Sequence, residues 1–387
     1  MIRKFNLIVR TLIVIACLLI TSIFTGCQSR QSPDVPAKPS ISSPVPSPEV
    51  EGEIIVFASS ATAEYPDALH FDIDIESLAD IARVELEYRI MKISTVDYVS
   101  AIMADFEPAK KVKTCIDLEM VKIGGLPPGA DIEYVWIIED EEGRHLETEV
   151  ATVRFDDSRY SWKNVSQGTV ELYWYEGDAD FAEELMNAAI EALDMLAEDT
   201  GTELLRPVKI YIYKSSQDLK GAMIYPQEWT GGVAYSEFGI TAIGIAPNNV
   251  DWGKRVIAHE LAHLLVYQIT YNPYGRMPVW VDEGLATYAE GNLTSHMQTV
   301  LDDAIRTDDL VSVHSLCSSF PAGGKVELYY AESYSLVKFL IDTYGQEKML
   351  ELLRAFKQGD QYNDALIKVY GFDLNSLENA WRTSLGL

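Results

Sequence analysis

The stretch "VIAHELAHLLV", residues 256–266, sets two histidines and a glutamate in an apolar, helix-favouring run. On a helix His259 and His263, four residues apart, stand one above the other on the same face, where two imidazole nitrogens can reach one metal ion at roughly 2 Å. Glu260 is turned about a quarter of the way round from His259, so its carboxylate can approach a water at that metal without being a ligand. The competing reading is a core helix whose histidines find hydrogen bonds. Burying two imidazoles and a carboxylate among Ile257, Leu261, Leu264 and Leu265 would be costly without partners or a metal.

Two histidines do not complete a zinc site, because catalytic zinc takes three protein ligands and keeps one position open. The residues just after His263, "LLVYQIT", offer neither a glycine nor a third histidine. The next candidate is Glu283 in "PVWVDEGLATYAEG" (278–291), with nineteen residues between it and His263.

The H-E-x-x-H pentapeptide, that gap and the following W-x-x-E-G-x-A-x-Y run together resemble the gluzincin branch of the clan MA zinc metallopeptidases. That branch includes thermolysin and the aminopeptidase N family, and the closest likeness is to bacterial peptidase MA-like domains. The resemblance implies zinc as cofactor, His259, His263 and Glu283 as its ligands, and Glu260 as the general base of peptide-bond hydrolysis. Tyr288 and Glu290 match the aminopeptidase run E-G-x-x-x-Y-x-E. Downstream, "YYAESYSLVKFL" (329–340) resembles the aminopeptidase helix whose leading tyrosine hydrogen-bonds the oxyanion. Tyr330 takes that position, with Tyr329 and Tyr334 as competitors.

The resemblance stops at the aminopeptidase G-x-M-E-N motif, whose acid holds the free amine of the substrate. Here "GAMIY" (221–225), expected within a helix, has Ile224 in place of that acid. The expectation is therefore an endopeptidase acting on a peptide or protein. An aminopeptidase is the alternative among enzymes, and an inactive surface binding or adhesion protein the alternative outside them. The edge of "GITAIGIA" (239–246) is expected to pair with an extended substrate. His70, His145, His296 and His314 lack partners at metal spacing and are expected to be structural or exposed.

Around this centre the pattern of 387 residues, 48% of them apolar, divides the chain. Arg3, Lys4 and Arg10 precede an apolar run from Thr11 to Phe24 and a small-residue end, "TGC", which reads as a signal peptide over residues 1–26. "FTGC" resembles a bacterial lipobox, implying lipidation at Cys27 and an anchor on the bacterial cell membrane, facing outside the cytoplasm. Phe24 departs from the usual Leu, so ordinary cleavage and an uncleaved anchor stay open. Residues 27–50 carry that cysteine and a Ser/Pro-rich linker too poor in apolar residues to fold.

Residues 51–157 alternate as half-buried strands do, with Phe71, Ile73 and Ile75 against Asp72 and Asp74. Several such strands, a hairpin signal at "DEEGRH" (140–145) and a turn into Tyr134 that resembles a tyrosine corner suggest an Ig-like β-sandwich. Residues 160–387 read as the peptidase MA-like zinc domain: strand, amphipathic helix (Asp178–Ala197), strand, then helices from Asp251 to the end. The fold class is thus multidomain, a β-sandwich followed by an α+β domain with a small mixed sheet and a helical lobe.

Removing the targeting segment takes the formal charge from −28 to −31. No nucleic-acid partner is expected, since phosphate binding needs clustered Lys and Arg. Cys115 and Cys317, the cysteines left once Cys17 in the apolar run and Cys27 at the cleavage point are set aside, are expected as buried free thiols, although a disulfide is permitted outside the cytosol.

Overall fold

The computed structural model describes residues 53–93, 98–200, 204–227, 230–275, 277–318 and 325–387. The expected signal peptide, the lipidated Cys27 and the linker lie outside the described residues. The described residues form one compact unit.

The first part of that unit is an antiparallel sheet of seven strands: β1 (Ile55–Glu64), β2 (Ala68–Ile90), β3 (Val99–Met103), β4 (Ala109–Glu119), β5 (Ala130–Asp140), β6 (His145–Glu147) and β7 (Ala151–Phe155), with a short helix α1 (Met120–Ile123) after β4. β2 is its spine. The first half pairs with β1 and β4, the second with β3 and β5, and the register breaks between Glu76 and Ile81. The alternation read in the sequence puts Phe71, Ile73, Ile75, Val84 and Leu86 inside, each at most 1% exposed. The sheet doubles over at the break. Phe71 of the first half meets Tyr134 of β5 edge-on at 5.0 Å, and Trp136 Nε1 of β5 donates to Ser59 Oγ of β1 at 3.2 Å. At the fold, buried Asp140 accepts from Ser77 Oγ (2.5 Å) and Arg144 Nε (2.8 Å), which satisfies a charge that would otherwise be costly to bury.

Cys115 and Cys317 are unpaired. The expectation that both thiols are buried fails at Cys115: it falls on the outward row of β4, whose inward row is Val112, Thr114, Ile116 and Leu118. Cys317 is half-buried, with Sγ donating to Val313 O at 3.3 Å.

The second sheet runs β11-β12-β10-β9-β8, from β8 (Lys163–Gln167), β9 (Val170–Trp174), β10 (Val208–Tyr213), β11 (Gly232–Tyr235) and β12 (Ile240–Gly244). β9, β10 and β12 are parallel, and β8 and β11 are antiparallel edges. Helix α2 (Ala179–Thr200) links β9 to β10, and α3 (Ser216–Lys220) follows β10. β10 shows how the layers stack. Its Tyr211 and Tyr213 face the first β-sheet, whereas Ile210 and Ile212 face α2 and the helix that carries the histidines. Asp157, fully buried at this junction, takes Arg159 and the Tyr213 hydroxyl.

Two local expectations are corrected here. "GITAIGIA" holds β12, which is flanked by β10 and β11, so the free edge belongs to β11. The reason is burial on both faces: Ile240, Thr241, Ala242 and Ile243 are all at most 2% exposed, as suits an interior strand. "GAMIY" is not helical, because α3 stops at Lys220 and Gly221 caps it, with Ala222 and Met223 closing the turn back to Leu219 and Lys220.

From Val250 onward the described residues are helices and their connections: α4 (Val250–Thr270), α5 (Val279–Ala289), α6 (Ser295–Thr307), α7 (Val313–Leu316), α8 (Val326–Tyr344), α9 (Gln346–Lys357), α10 (Tyr362–Tyr370) and α11 (Leu374–Ser384). Their core includes Trp280, Leu285, Leu336, Leu352 and Trp381, each at most 1% exposed. α4 is sandwiched, with Ile257, Leu261 and Leu264 on the sheet and Ala258, Ala262 and Leu265 on the lobe. α5 and α8 approach closely at Gly284, where a Cβ would overlap the Ser333 carbonyl oxygen.

Candidate active site

Because both broad faces of α4 are taken up by core packing, its histidines project from the strip between them, towards α5. α5 begins after its N-cap, Pro278, and Glu283 in its second turn lies opposite them. The Nε2 atoms of His259 and His263 are 3.3 Å apart, and each is 3.5 Å from Glu283 Oε2. Among the described residues this is the group of His, Cys, Asp or Glu side chains arranged to hold a metal ion.

The triangle has the dimensions of a zinc site. Two donors each 2.0–2.1 Å from one ion at a tetrahedral angle lie roughly 3.3–3.4 Å apart. Moreover, Glu283 Oε2 is buried and has no hydrogen-bond partner, which would leave a costly orphan unless a cation takes it. The donor set of two imidazoles and a carboxylate suits zinc. The residues present therefore fit the ion.

Each imidazole has a carboxylate behind it. His259 Nδ1 lies 2.9 Å from Glu290 Oε1, and Arg255 Nη2 reaches the other oxygen of Glu290 at 3.1 Å. His263 Nδ1 is 3.1 Å from Asp282 Oδ1, off the line of a straight hydrogen bond. Such partners fix ring orientation and raise ligand basicity. Glu290, the C-cap residue of α5, sits seven residues beyond Glu283, two turns further along the same face, so one segment supplies both Glu283 and the carboxylate behind His259.

The electrostatics follow from this packing. Burial pulls the His259 imidazole down, but the Glu283 and Glu290 carboxylates outweigh it and hold it up at about 9. His263, opposed by burial and supported by Asp282 and Glu283, is also raised. Burial pushes Glu283 up, and the two imidazoles outweigh that and bring it down to about 2. The pocket thus strongly favours positive charge between these three groups, which one divalent cation would also supply. Glu260, buried at 7% exposure, is raised by burial, with the histidines opposing.

Glu260 faces β11. A Cβ on Gly232 would lie 2.5 Å from Glu260 Oε1 and 3.0 Å from Val256 Cγ1, so only glycine leaves room for the carboxylate where it stands. Gly232 and Asp282 stand at no fixed position of the sequence motifs given above. Asp282 is recognisable as the acid beside Glu283, but Gly232 carries no local signal.

The three tyrosines separate by their surroundings. Tyr330 is half-buried, with its ring 5.8 Å from the His259 ring, and burial followed by the Glu283, Glu260 and Glu290 carboxylates raises its hydroxyl. Tyr329 points away into the lobe and donates to Ser315 O and Ser318 O, at 3.1 and 2.6 Å. Tyr334 packs near Tyr288 at 6.1 Å and lines a groove beside α6. His70 bridges Glu64 and Asp117, and His296 pairs with Glu327, both on the surface.

The family profile described as the Peptidase MA superfamily matches residues 188–386, just over half the chain and all of the helices that carry the site. No curated protein matches. Solved structures of OgpA from Akkermansia muciniphila, wild type and a catalytically inactive form with an O-glycopeptide (glycodrosocin) substrate, are similar at 12% identity and a TM-score of 0.22. The similarity with the inactive form covers 28% of this chain and 30% of OgpA, so this chain spans under a third of that protein's length.

Proposed function

This chain belongs to the Peptidase MA superfamily, and from that premise we propose that it is a zinc-dependent peptidase of the gluzincin type, cleaving within peptide chains at a bacterial cell surface. The observation that carries the reading is the convergence of His259 Nε2, His263 Nε2 and Glu283 Oε2 within 3.3–3.5 Å of one another, with Glu260 buried alongside.

His259, His263 and Glu283 would hold the ion; when bound, zinc polarises the scissile carbonyl and makes a water acidic near neutral pH. Glu260 takes the proton of the attacking water and passes it to the leaving amine. Tyr330 donates its hydroxyl to the developing oxyanion. Glu290 and Asp282 keep both imidazoles turned with Nε2 towards Glu283. The outer edge of β11 aligns an extended peptide. Gly244 N–H donates to Gly231 O, which makes the odd-numbered residues of β11 the inward-bonded ones and leaves the backbone groups of Gly232 and Ala234 facing outward.

Beyond the site, the doubled β-sheet serves as an Ig-like spacer, and Cys27 carries the lipid that ties the chain to the membrane. Both proposals rest on the sequence signals given above.

The test is cleavage of a mixed peptide library by zinc-loaded protein, beside the Glu260→Gln variant. The reading expects about one zinc per chain in both, internal cleavage by wild type, and a rate at least roughly 10²-fold lower in the variant. Equal rates at equal zinc content would dismiss the enzyme assignment. Release of free amino acids from peptide N-termini would indicate an aminopeptidase. Incorporation of labelled fatty acid that survives Cys27→Ser would count against the anchor.

A further inference from the structure

Next to the metal centre lies a pocket of about 340 Å³ whose wall includes His263 and Asp282. It opens where α4 ends. Tyr267 and Thr270 belong to the last turn of that 21-residue helix, and Tyr271 follows it. The pocket is apolar along one side, at Val266, Met277 and Val279, and aromatic at Tyr267 and Tyr271, whose rings lie 5.1 Å apart.

Three independent features of this wall favour positive charge. The negative end of the α4 dipole lies at the Tyr267–Tyr271 side. The two phenol rings offer faces that attract a cation. Asp282 uses one carboxylate oxygen on His263, and its side chain is 39% exposed, which leaves the other oxygen to a guest. Among the described residues, no lysine or arginine lines the pocket itself; Arg206 and Lys357 line a neighbouring cavity that shares Tyr267 and Tyr271. A neutral guest would gain only the apolar wall, and an acidic one would be repelled.

The free edge of β11 tells which part of a peptide would occupy it. β11 runs from Gly232, beside Glu260, towards Tyr235, and Ser236 just beyond it lines the pocket. A peptide pairing antiparallel with this edge, the more stable geometry, runs the opposite way. Its residues preceding the cleaved bond then lie at the Ser236 end.

We propose that this pocket is a substrate subsite selecting a lysine or arginine side chain within two residues on the amino-terminal side of the cleaved bond. The proposal rests on the reading of the protein as a peptidase. The stem of such a side chain packs on Val266, Met277 and Val279, and its cationic head meets the tyrosines at the end of α4.

The test has two arms. In the first, the zinc-loaded full chain digests a mixed peptide library, and the residues flanking each new terminus are counted by mass spectrometry. Lys or Arg should be enriched at one position on the amino-terminal side, and Asp and Glu depleted there. In the second, the best sequence is made with lysine or norleucine at that position. Tyr271→Leu should lower the lysine-to-norleucine ratio of kcat/KM roughly 2- to 30-fold, whereas Tyr271→Phe, which keeps the ring, should preserve it. Cleavage without basic enrichment at that position, or a ratio unchanged by Tyr271→Leu, overturns the subsite and leaves the peptidase reading standing. Absence of any cleavage by the zinc-loaded protein overturns both.

Discussion

Alanine at position 232 should separate catalysis from metal binding and from folding. A Cβ there would sit 2.5 Å from Glu260 Oε1, 3.0 Å from Val256 Cγ1 and 3.1 Å from Glu260 Cδ. Ordinary contact begins at about 3.5 Å, so something must move by roughly 1 Å. β11 is held to β12 along its length, and Gly232 has no left-handed backbone that an alanine would strain. The easiest response is rotation of the Glu260 carboxylate, the far end of a flexible side chain. That leaves His259, His263 and Glu283 where they are. Misplacing a catalytic group by about 1 Å costs on the order of 10²-fold in rate, or about 2.7 kcal/mol in activation free energy. Gly232→Ala should therefore lose about 100-fold in kcat while its zinc content equals that of wild type and its Tm moves by only a few degrees. Gly231→Ala is the control, because its Cβ would touch only the Trp252 ring, at 3.2 Å, and it should keep most of the activity. A Gly232→Ala enzyme within about threefold of wild type in kcat, with zinc intact, would refute the claim that the close packing of β11 positions Glu260.

Glu290→Gln and Asp282→Asn should each weaken zinc binding or activity by roughly 10- to 100-fold, measured by competition with a chelating dye; unchanged affinity in both would remove their role in orienting the imidazoles. Tyr330→Phe should lower kcat by about 10²- to 10³-fold with zinc affinity unchanged. Tyr329→Phe should do the reverse, keeping kcat and losing about 1 kcal/mol of stability with its bonds to Ser315 O and Ser318 O; the opposite pattern would exchange their assignments. Glu332, fully buried, accepts from Val311 N–H at 3.0 Å, and burial pushes its carboxyl up to about 8. Because the folded value lies above the unfolded one of about 4.3, the folded chain binds more protons between them, and the contribution of Glu332 to stability falls as pH rises from about 4 to 8. Glu332→Gln keeps an acceptor for Val311 but cannot ionise, so denaturant unfolding at pH 5 and pH 8.5 should show a smaller loss of stability in the variant, and equal losses would contradict the raised carboxyl.

What could be read from the sequence, and what could not, follows from the range of the interactions. The alternation of β2 and the pairing of His259 with His263 are local: a period of two or a spacing of four fixes the geometry within one element. Glu283 was reachable because its motif is itself local, a Trp, an acid and a glycine at fixed spacing on one helix. Gly232 was not, since it matters only through a residue 28 positions later that β11 happens to cover. The error over the free edge has the same origin, because strand order in a sheet is decided by pairings across the chain. "GITAIGIA" did carry a hint, however, in its unbroken apolar run, which suits an interior strand better than an edge.

The choice among the tyrosines shows how tertiary contact resolves what periodicity leaves open. Tyr329 and Tyr330 are successive residues on α8, about 100° apart around its axis, and either fits a helix in a crowded lobe. Their neighbours decide between them: the Tyr330 ring lies 5.8 Å from the His259 ring, and the Tyr329 hydroxyl donates to Ser315 O and Ser318 O. Gly284 shows how closely α8 lies on α5, since the atoms that a Cβ there would strike belong to Ser333 and Val337. Those residues lie three and seven positions beyond Tyr330 and four and eight beyond Tyr329, so this approach sets the distance of both tyrosines from α5. A larger residue at 284 should push α8 away and weaken that placement, so Gly284→Ala should cost both stability and kcat, unlike Gly232→Ala, which should cost kcat alone.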